Sequence, residues 1–146
     1  LKIVYKLIFL PLYLGFLEVP FSIIFALVSF SYNIWRLQKS EGNNTIRMAS
    51  FEVLTELSQF EQILYASHYD KNIIEENPRK ALVKIGLIKD LSILISKPVE
   101  QKVLHLKNTW NDNWQNIDSD NAAVETLVKE LDIIRVEIRN TLETLD

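Results

Sequence analysis

The chain has 146 residues, a formal net charge of −3, no Cys, three Gly and four Pro. That length suits one modest domain, or a smaller domain plus a membrane segment, and is too short for a TIM barrel, a full dinucleotide-binding fold or a multi-span transporter. Low Gly and Pro, absent Cys and 48% hydrophobic content exclude collagen-like, disulfide-rich and disordered classes, and the mild acidity argues against a nucleic-acid partner.

The first element is a long apolar stretch. Residues 7–35, LIFLPLYLGFLEVPFSIIFALVSFSYNIW, hold one charge, Glu18, in 29 positions. As a helix at ~1.5 Å per residue they would extend roughly 43 Å, enough to cross a hydrocarbon core and both interfaces. A helix in water needs a polar face, and this stretch has none over several turns. Lys2 and Lys6 flank one side, Arg36 and Lys39 the other. Tyr5, Tyr32 and Trp35 fall where aromatic rings favour the headgroup layer. These features predict a single transmembrane anchor over residues 1–37. The stretch is too long for the core of a cleavable signal peptide and no small-x-small pattern follows it, so the anchor is expected to be uncleaved.

Pro20 has no N–H to pair with the carbonyl of Phe16, which predicts a kink. Glu18 has two main readings, because a carboxylate in lipid is costly. Either the true span is residues 19–35 and Glu18 sits near the headgroups, or Glu18 contacts a partner transmembrane helix. The positive-inside count is nearly a tie. The short lysine-bearing N-terminal tail tips it toward an extracytoplasmic soluble domain.

Residues 38–45, QKSEGNNT, are polar, contain Gly42 and read as a linker, with Asn44 or Thr45 able to cap the next helix. Beyond them the hydrophobic period is helical. Ile46, Ala49, Val53, Leu57, Phe60 and Leu64 form one stripe. The segment HYDKNIIEEN, from His68 to Asn77, breaks the pattern. Asn77 and Pro78 then supply a cap and a first-turn proline for a second helix. That helix, through about Ile95, is apolar on two faces: Ala81, Ile85, Ile88 and Ile95 on one, Val83, Leu87, Leu91 and Leu94 on the other. It is therefore expected to be the most buried, with Gly86 permitting a close helix crossing.

Ser96, Lys97 and Pro98 mark the next turn, after which Val99, Val103, Leu106, Trp110 and Trp114 make a third stripe. Asp118, Ser119 and Asp120 offer capping chemistry for a fourth helix with Val124, Leu127, Leu131, Ile134, Ile138, Leu142 and Leu145 in near-heptad spacing. No alternating strand pattern occurs. The predicted fold is all-α: an N-terminal transmembrane helix, a linker, and a four-helix, antiparallel bundle over residues 46–146.

Charge is unevenly spread. Residues 36–76 carry net −3, residues 77–107 net +5 and residues 108–146 net −6. Basic middle helices beside acidic first and last helices would neutralise across the bundle. Alternatively Arg79, Lys80 and Lys84 meet lipid headgroups or an acidic partner, which a bundle tethered near a bilayer could reach.

The search for chemistry is mostly negative. Without Cys there is no thiol nucleophile, zinc ribbon or iron–sulfur ligation. No phosphate-cradling glycine motif, GxSxG or HExxH occurs. Neither His68 nor His105 has the Glu three positions earlier that a di-metal carboxylate bundle needs. No catalytic residue, metal or cofactor is therefore expected. His68, Tyr69 and Asp70 form the best polar cluster, read foremost as a helix end where His68 meets the dipole. His105 reads as a boundary residue. Trp110 and Trp114, in WNDNW, lie one turn apart and share a face: they either seal one end of the core or anchor a binding partner.

The expected function is that of a single-pass, membrane-anchored helical interaction protein, an accessory or scaffold subunit of a membrane complex. Glu18, Trp110 and Trp114 are its candidate partner-binding residues. A membrane-tethered sensory or small-ligand-binding four-helix module is the alternative.

Overall fold

The computed structural model describes the backbone of residues 2–70 and 78–145, and the side chains of residues 20–69 and 79–145. Four α-helices follow in order: α1 Lys2–Tyr65, α2 Pro78–Ser92, α3 Lys97–Asn113 and α4 Asn121–Glu143. A π-helical turn, Ala66–Asp70, prolongs α1, and a 3-10 turn, Trp114–Asn116, prolongs α3. No strand occurs among the described residues, so the protein is all-α.

The structure differs from the sequence reading at residues 38–45, which are helical and belong to α1. Neither Asn44 nor Thr45 starts a helix. The physical reason is that one Gly and two Asn cost only about 1 kcal/mol or less each in a helix interior, whereas restarting a helix costs a fresh nucleus. Without a proline, residues 38–45 have nothing that forces a break. By internal contacts the chain forms two units, Leu1–Glu41 and Gly42–Asp146.

In the first unit, all side chains described, from Pro20 onward, are exposed. Among the described residues no helix is long and apolar enough to cross a membrane. The transmembrane anchor draws no support from that measure. Residues 7–19 of the expected span, Glu18 included, have side chains outside the described residues.

The second unit is a four-helix bundle made by the last part of α1 with α2, α3 and α4. Its core cluster runs from Ala49 to Ile138 and takes residues from every helix. The stripe on α1 is buried as its spacing predicted: Val53, Leu57, Phe60 and Leu64 are fully covered. So are Val99, Val103 and Leu106 on α3, and Leu127, Leu131, Ile134 and Ile138 on α4. The helices α3 and α4 run antiparallel: Ser96 Oγ lies 3.3 Å from Thr141 Oγ1, and Lys102 Nζ lies 3.7 Å from Glu137 Oε2. The α1 and α4 segments are likewise antiparallel, since Arg47 donates to the Leu145 carbonyl at 3.3 Å while Glu61 lies 2.5 Å from Arg135.

Caps set the helix starts. Ser96 is extended, with φ −167° and ψ 158°, and its Oγ accepts from the Val99 N–H, with Pro98 in the first turn. Asp120 caps α4 by accepting from the Ala122 N–H at 2.9 Å. Asn77, the expected cap of α2, lies outside the described residues.

The second correction concerns α2. It is not buried on both faces. Ala81, Ile85 and Ile88 are fully buried, while Val83 is 70% exposed and Leu82, Leu87 and Leu94 are exposed with it. Four helices around one core give each helix a single inner face, and of the second apolar stripe Val83, Leu87 and Leu94 are left outside while Leu91 is half-buried against the core. Nor does Gly86 mark a close crossing: a Cβ built there meets nothing within 4 Å.

Candidate functional site

The outward face of α2 gathers the features that distinguish this bundle. At 3.6 residues per turn, burying Ala81, Ile85 and Ile88 forces Val83 and Leu87 outward and puts Lys84 at the boundary. The Lys84 ammonium, 27% exposed as a side chain, lies 2.7 Å from Oε2 of Glu56 on α1. It also donates to the Gln59 side-chain oxygen. Glu56 is only 5% exposed, so this cation neutralises a carboxylate that the fold has taken almost wholly out of water. Beside the pair, Ile63, Arg79, Lys80, Val83 and Lys84 line a shallow depression of about 310 Å³. Its lining is aliphatic, made by Ile63 and Val83 with the stems of the basic side chains. Arg79, Lys80 and Lys84, singled out from the sequence, are thus brought together.

The charge-neutralisation reading also has contacts behind it. Lys84 reaches Glu56, Lys102 approaches Glu137, and His105 Nδ1 lies 3.0 Å from Glu130 Oε2. Each joins a residue of the basic middle helices to one on an acidic flanking helix. His105 is mostly exposed, lining a second shallow groove between α3 and α4 with Lys102, Glu130 and Glu137.

The two tryptophans part company. Trp110 is 4% exposed and meets Phe60 edge to face, with ring centroids 5.3 Å apart. It is a core residue, and the surface-anchor reading of it is corrected accordingly. Trp114 is 41% exposed. Trp114 keeps the helical N–H bond to the Trp110 carbonyl and so stays one turn on, but it stands at the end of α3, where the core that covers Trp110 runs out. The Glu18 side chain lies outside the described residues.

His68 stands in the last turn of the helix end, as the sequence predicted. Its Nδ1 lies 2.7 Å from the Ile117 carbonyl, which only accepts, so Nδ1 carries the proton. Its ring stacks edge-on against Tyr69, with centroids 4.7 Å apart. The side chain of Asp70 lies outside the described residues. Among the described residues no group of three His, Cys, Asp or Glu is placed to hold a metal ion.

One network was missed entirely from sequence. Arg135 on α4 bridges Glu61 on α1 and Asp132 one turn back. Partial burial pulls its pKa down, but hydrogen bonds to both carboxylates outweigh this and hold it above the ordinary value. Partial burial, followed by the neighbouring Glu61 charge, pushes the Tyr65 phenol up. Glu61 and Arg135 are 74 positions apart, so no local pattern pairs them.

In the first unit, Tyr32 and Trp35 lie with ring centroids 5.9 Å apart, and the Lys39 ammonium sits 6.0 Å above the Trp35 ring. Aromatic rings next to a cation therefore close the apolar stretch. No known protein family, curated protein or solved structure matches this chain.

Proposed function

We propose that this is a single-pass, membrane-anchored helical interaction protein, in which residues 7–35 span the bilayer and the bundle serves as an accessory or scaffold subunit of a membrane complex. The observation that carries the anchor is exposure in the first unit. Phe21, Ile23, Ile24, Phe25, Leu27, Val28 and Phe30 are each between 55% and 69% exposed, and at 3.6 residues per turn they take up more than half of the helix circumference, the remaining strip carrying Ser22, Ala26, Ser29 and Asn33.

Covering a side chain of this kind is worth about 1.5–3 kcal/mol when complete, so leaving seven in water forfeits on the order of 10 kcal/mol. That rivals the whole stability of a small domain, about 5–15 kcal/mol. Something must cover these side chains. One partner helix would cover a narrow stripe, whereas lipid covers the whole of this broad apolar arc and leaves the Ser22, Ala26, Ser29 and Asn33 strip for a helix contact. The Tyr32, Trp35 and Lys39 cluster at the end of the stretch fits a headgroup boundary.

The accessory role rests on the bundle's surface. Ion pairs such as Lys84–Glu56 and Arg135–Glu61 tie its helices together, and its outward apolar residues suit contact rather than chemistry. In this reading Glu18 contacts a partner helix within the bilayer, since a lone carboxylate in lipid needs a partner. The experiment has two parts. After carbonate washing of native membranes the protein should stay in the pellet; recovery in the wash would refute the anchor. Purification in mild detergent should bring down a membrane-protein partner, and Glu18→Gln should weaken that copurification while leaving insertion intact.

A further inference from the structure

We propose that α1, within the bundle unit, carries a dimerisation seam on its outward side, where the same face of a second copy packs in parallel and in register. The seam lies wholly within Gly42–Asp146. On its inner side this helix buries Val53, Leu57, Phe60 and Leu64. On the opposite side, at 3.6 residues per turn, stand Met48, Phe51, Thr55, Ser58, Gln62 and Tyr65, all exposed. Steps of three and four residues alternate along this row, which is the spacing of positions a and d in a two-stranded coiled coil. Met48 and Phe51 are 66% and 63% exposed.

The row holds no charge over roughly 26 Å of helix, whereas a solvated helix face ordinarily does. The exposed side of α4, for contrast, includes Glu125, Lys129, Asp132 and Arg139. The polar members of the row do not resist being covered. Thr55 Oγ1 donates to the Phe51 carbonyl and Ser58 Oγ to the Leu54 carbonyl, each at 3.0 Å. Both hydroxyls keep those bonds when water leaves, so covering them strands no donor. Gln62 falls at position a, where two copies in register can meet amide to amide, as polar residues at that position do when they fix a register.

Charge at the flanks selects the occupant and its direction. Arg47 precedes the row at position g, and Glu52 follows Phe51 at position e; both are exposed. In a parallel pair the g residue of one helix faces the e residue five positions on in the other, so Arg47 meets Glu52 of the second copy twice in each dimer. Arg47 spends Nη2 on the Leu145 carbonyl, and the guanidinium has further N–H donors for the carboxylate. The other flanking pairs, Leu54 with Gln59 and Glu61 with Ala66, bring no like charges together. An antiparallel pair would set g against g and e against e, parting Arg47 from Glu52 and facing Gln62 with Phe51. It would also turn like sides together. Gln59 marks the side of α1 next to α2, and Glu61 the side next to α4. Even with Lys84 set against Glu56, α2 keeps three bases to one acid, while α4 holds five acids to three bases. The parallel arrangement brings the α2 side of one copy beside the α4 side of the other, and the antiparallel one brings α2 beside α2.

The test uses the full chain in mild detergent, and the chain contains no cysteine. Under gentle oxidation Tyr65→Cys should link two copies at least about fivefold faster than Val136→Cys on the outward side of α4, because only the seam brings equal positions within disulfide reach. In an equal mixture of Tyr65→Cys and Met48→Cys chains, disulfides should join like positions, since a parallel register keeps the two apart. Light scattering should give a dimer. Phe51→Arg should make it a monomer with the helical circular dichroism unchanged. Arg47→Glu, made in the Tyr65→Cys chain, should slow linking about threefold or more, and adding Glu52→Arg should restore it.

A chain that is monomeric by light scattering overturns the proposal. So does equal linking at Tyr65→Cys and Val136→Cys, which would put the contact elsewhere. Disulfides mainly between Tyr65→Cys and Met48→Cys chains would show an antiparallel seam and overturn it too. Failure of the Glu52→Arg rescue would remove the charge pairing that selects a second copy. A Tyr65→Cys chain that links in native membranes to a different protein, and not to itself, would give the face to that protein and overturn the dimer.

Discussion

Lys84 stands between the interior and the surface of the bundle. Its ammonium neutralises Glu56, which is 5% exposed, yet 27% of its own side chain reaches solvent. Removing one member of a buried pair strands the other charge, at a cost of about 3–5 kcal/mol when burial is complete. Because Lys84 is partly solvated, Lys84→Ala should cost less, about 2 kcal/mol, in chemical denaturation followed by circular dichroism. The double variant Lys84→Ala, Glu56→Leu should recover much of that loss, since it removes the stranded carboxylate as well. Failure of the second substitution to recover stability would mean that Glu56 is not held as a buried charge. Local reading could not have found this pair. Glu56 looked like any acidic residue on a helix, and its burial arises only where α2 closes over α1. Trp110 and Trp114 teach the same lesson: identical residues at helical spacing end up 4% and 41% exposed, because Phe60 packs on the first while the second stands at the end of α3.

Amphipathic spacing predicted the elements well where one face was apolar. The stripe from Val53 to Leu64 on α1 and that from Leu127 to Ile138 on α4 are buried as expected. It was ambiguous for α2, where two stripes compete and position in the bundle chooses between them. Gly86 makes that choice testable. It sits in the helix interior with open space where a Cβ would go. Gly86→Ala should therefore stabilise the bundle by about 0.5–1 kcal/mol, through helix propensity and a less flexible unfolded chain. A rise in the denaturation midpoint checks it, and a fall would mean that the site is tightly packed after all. Residues 38–45 show the opposite limit. Their polar composition reads as a linker, but composition without proline does not stop a helix already under way.

At the scale of the molecule, the chain is two units with different needs. All residues of the core cluster lie within Gly42–Asp146, and the helices that form it are tied by the α1 to α4, α1 to α2 and α3 to α4 ion pairs. Residues 42–146 produced alone should therefore remain strongly helical and melt cooperatively without detergent. A gradual, non-cooperative melt would show that the bundle depends on the preceding residues. Among its described residues the first unit exposes apolar side chains over more than half of the helix circumference, which no rearrangement of that helix alone could cover.

The spacing of apolar residues was enough to establish an all-α chain, the inner stripes of α1, α3 and α4, and the contrast between a greasy opening and an amphipathic remainder. These are local properties, repeated every three or four residues. Three matters needed the assembled bundle: which stripe of α2 faces inward, which tryptophan is covered, and which distant charges meet. Each depends on what another helix places alongside, and a helix carries no record of its neighbours in its own period.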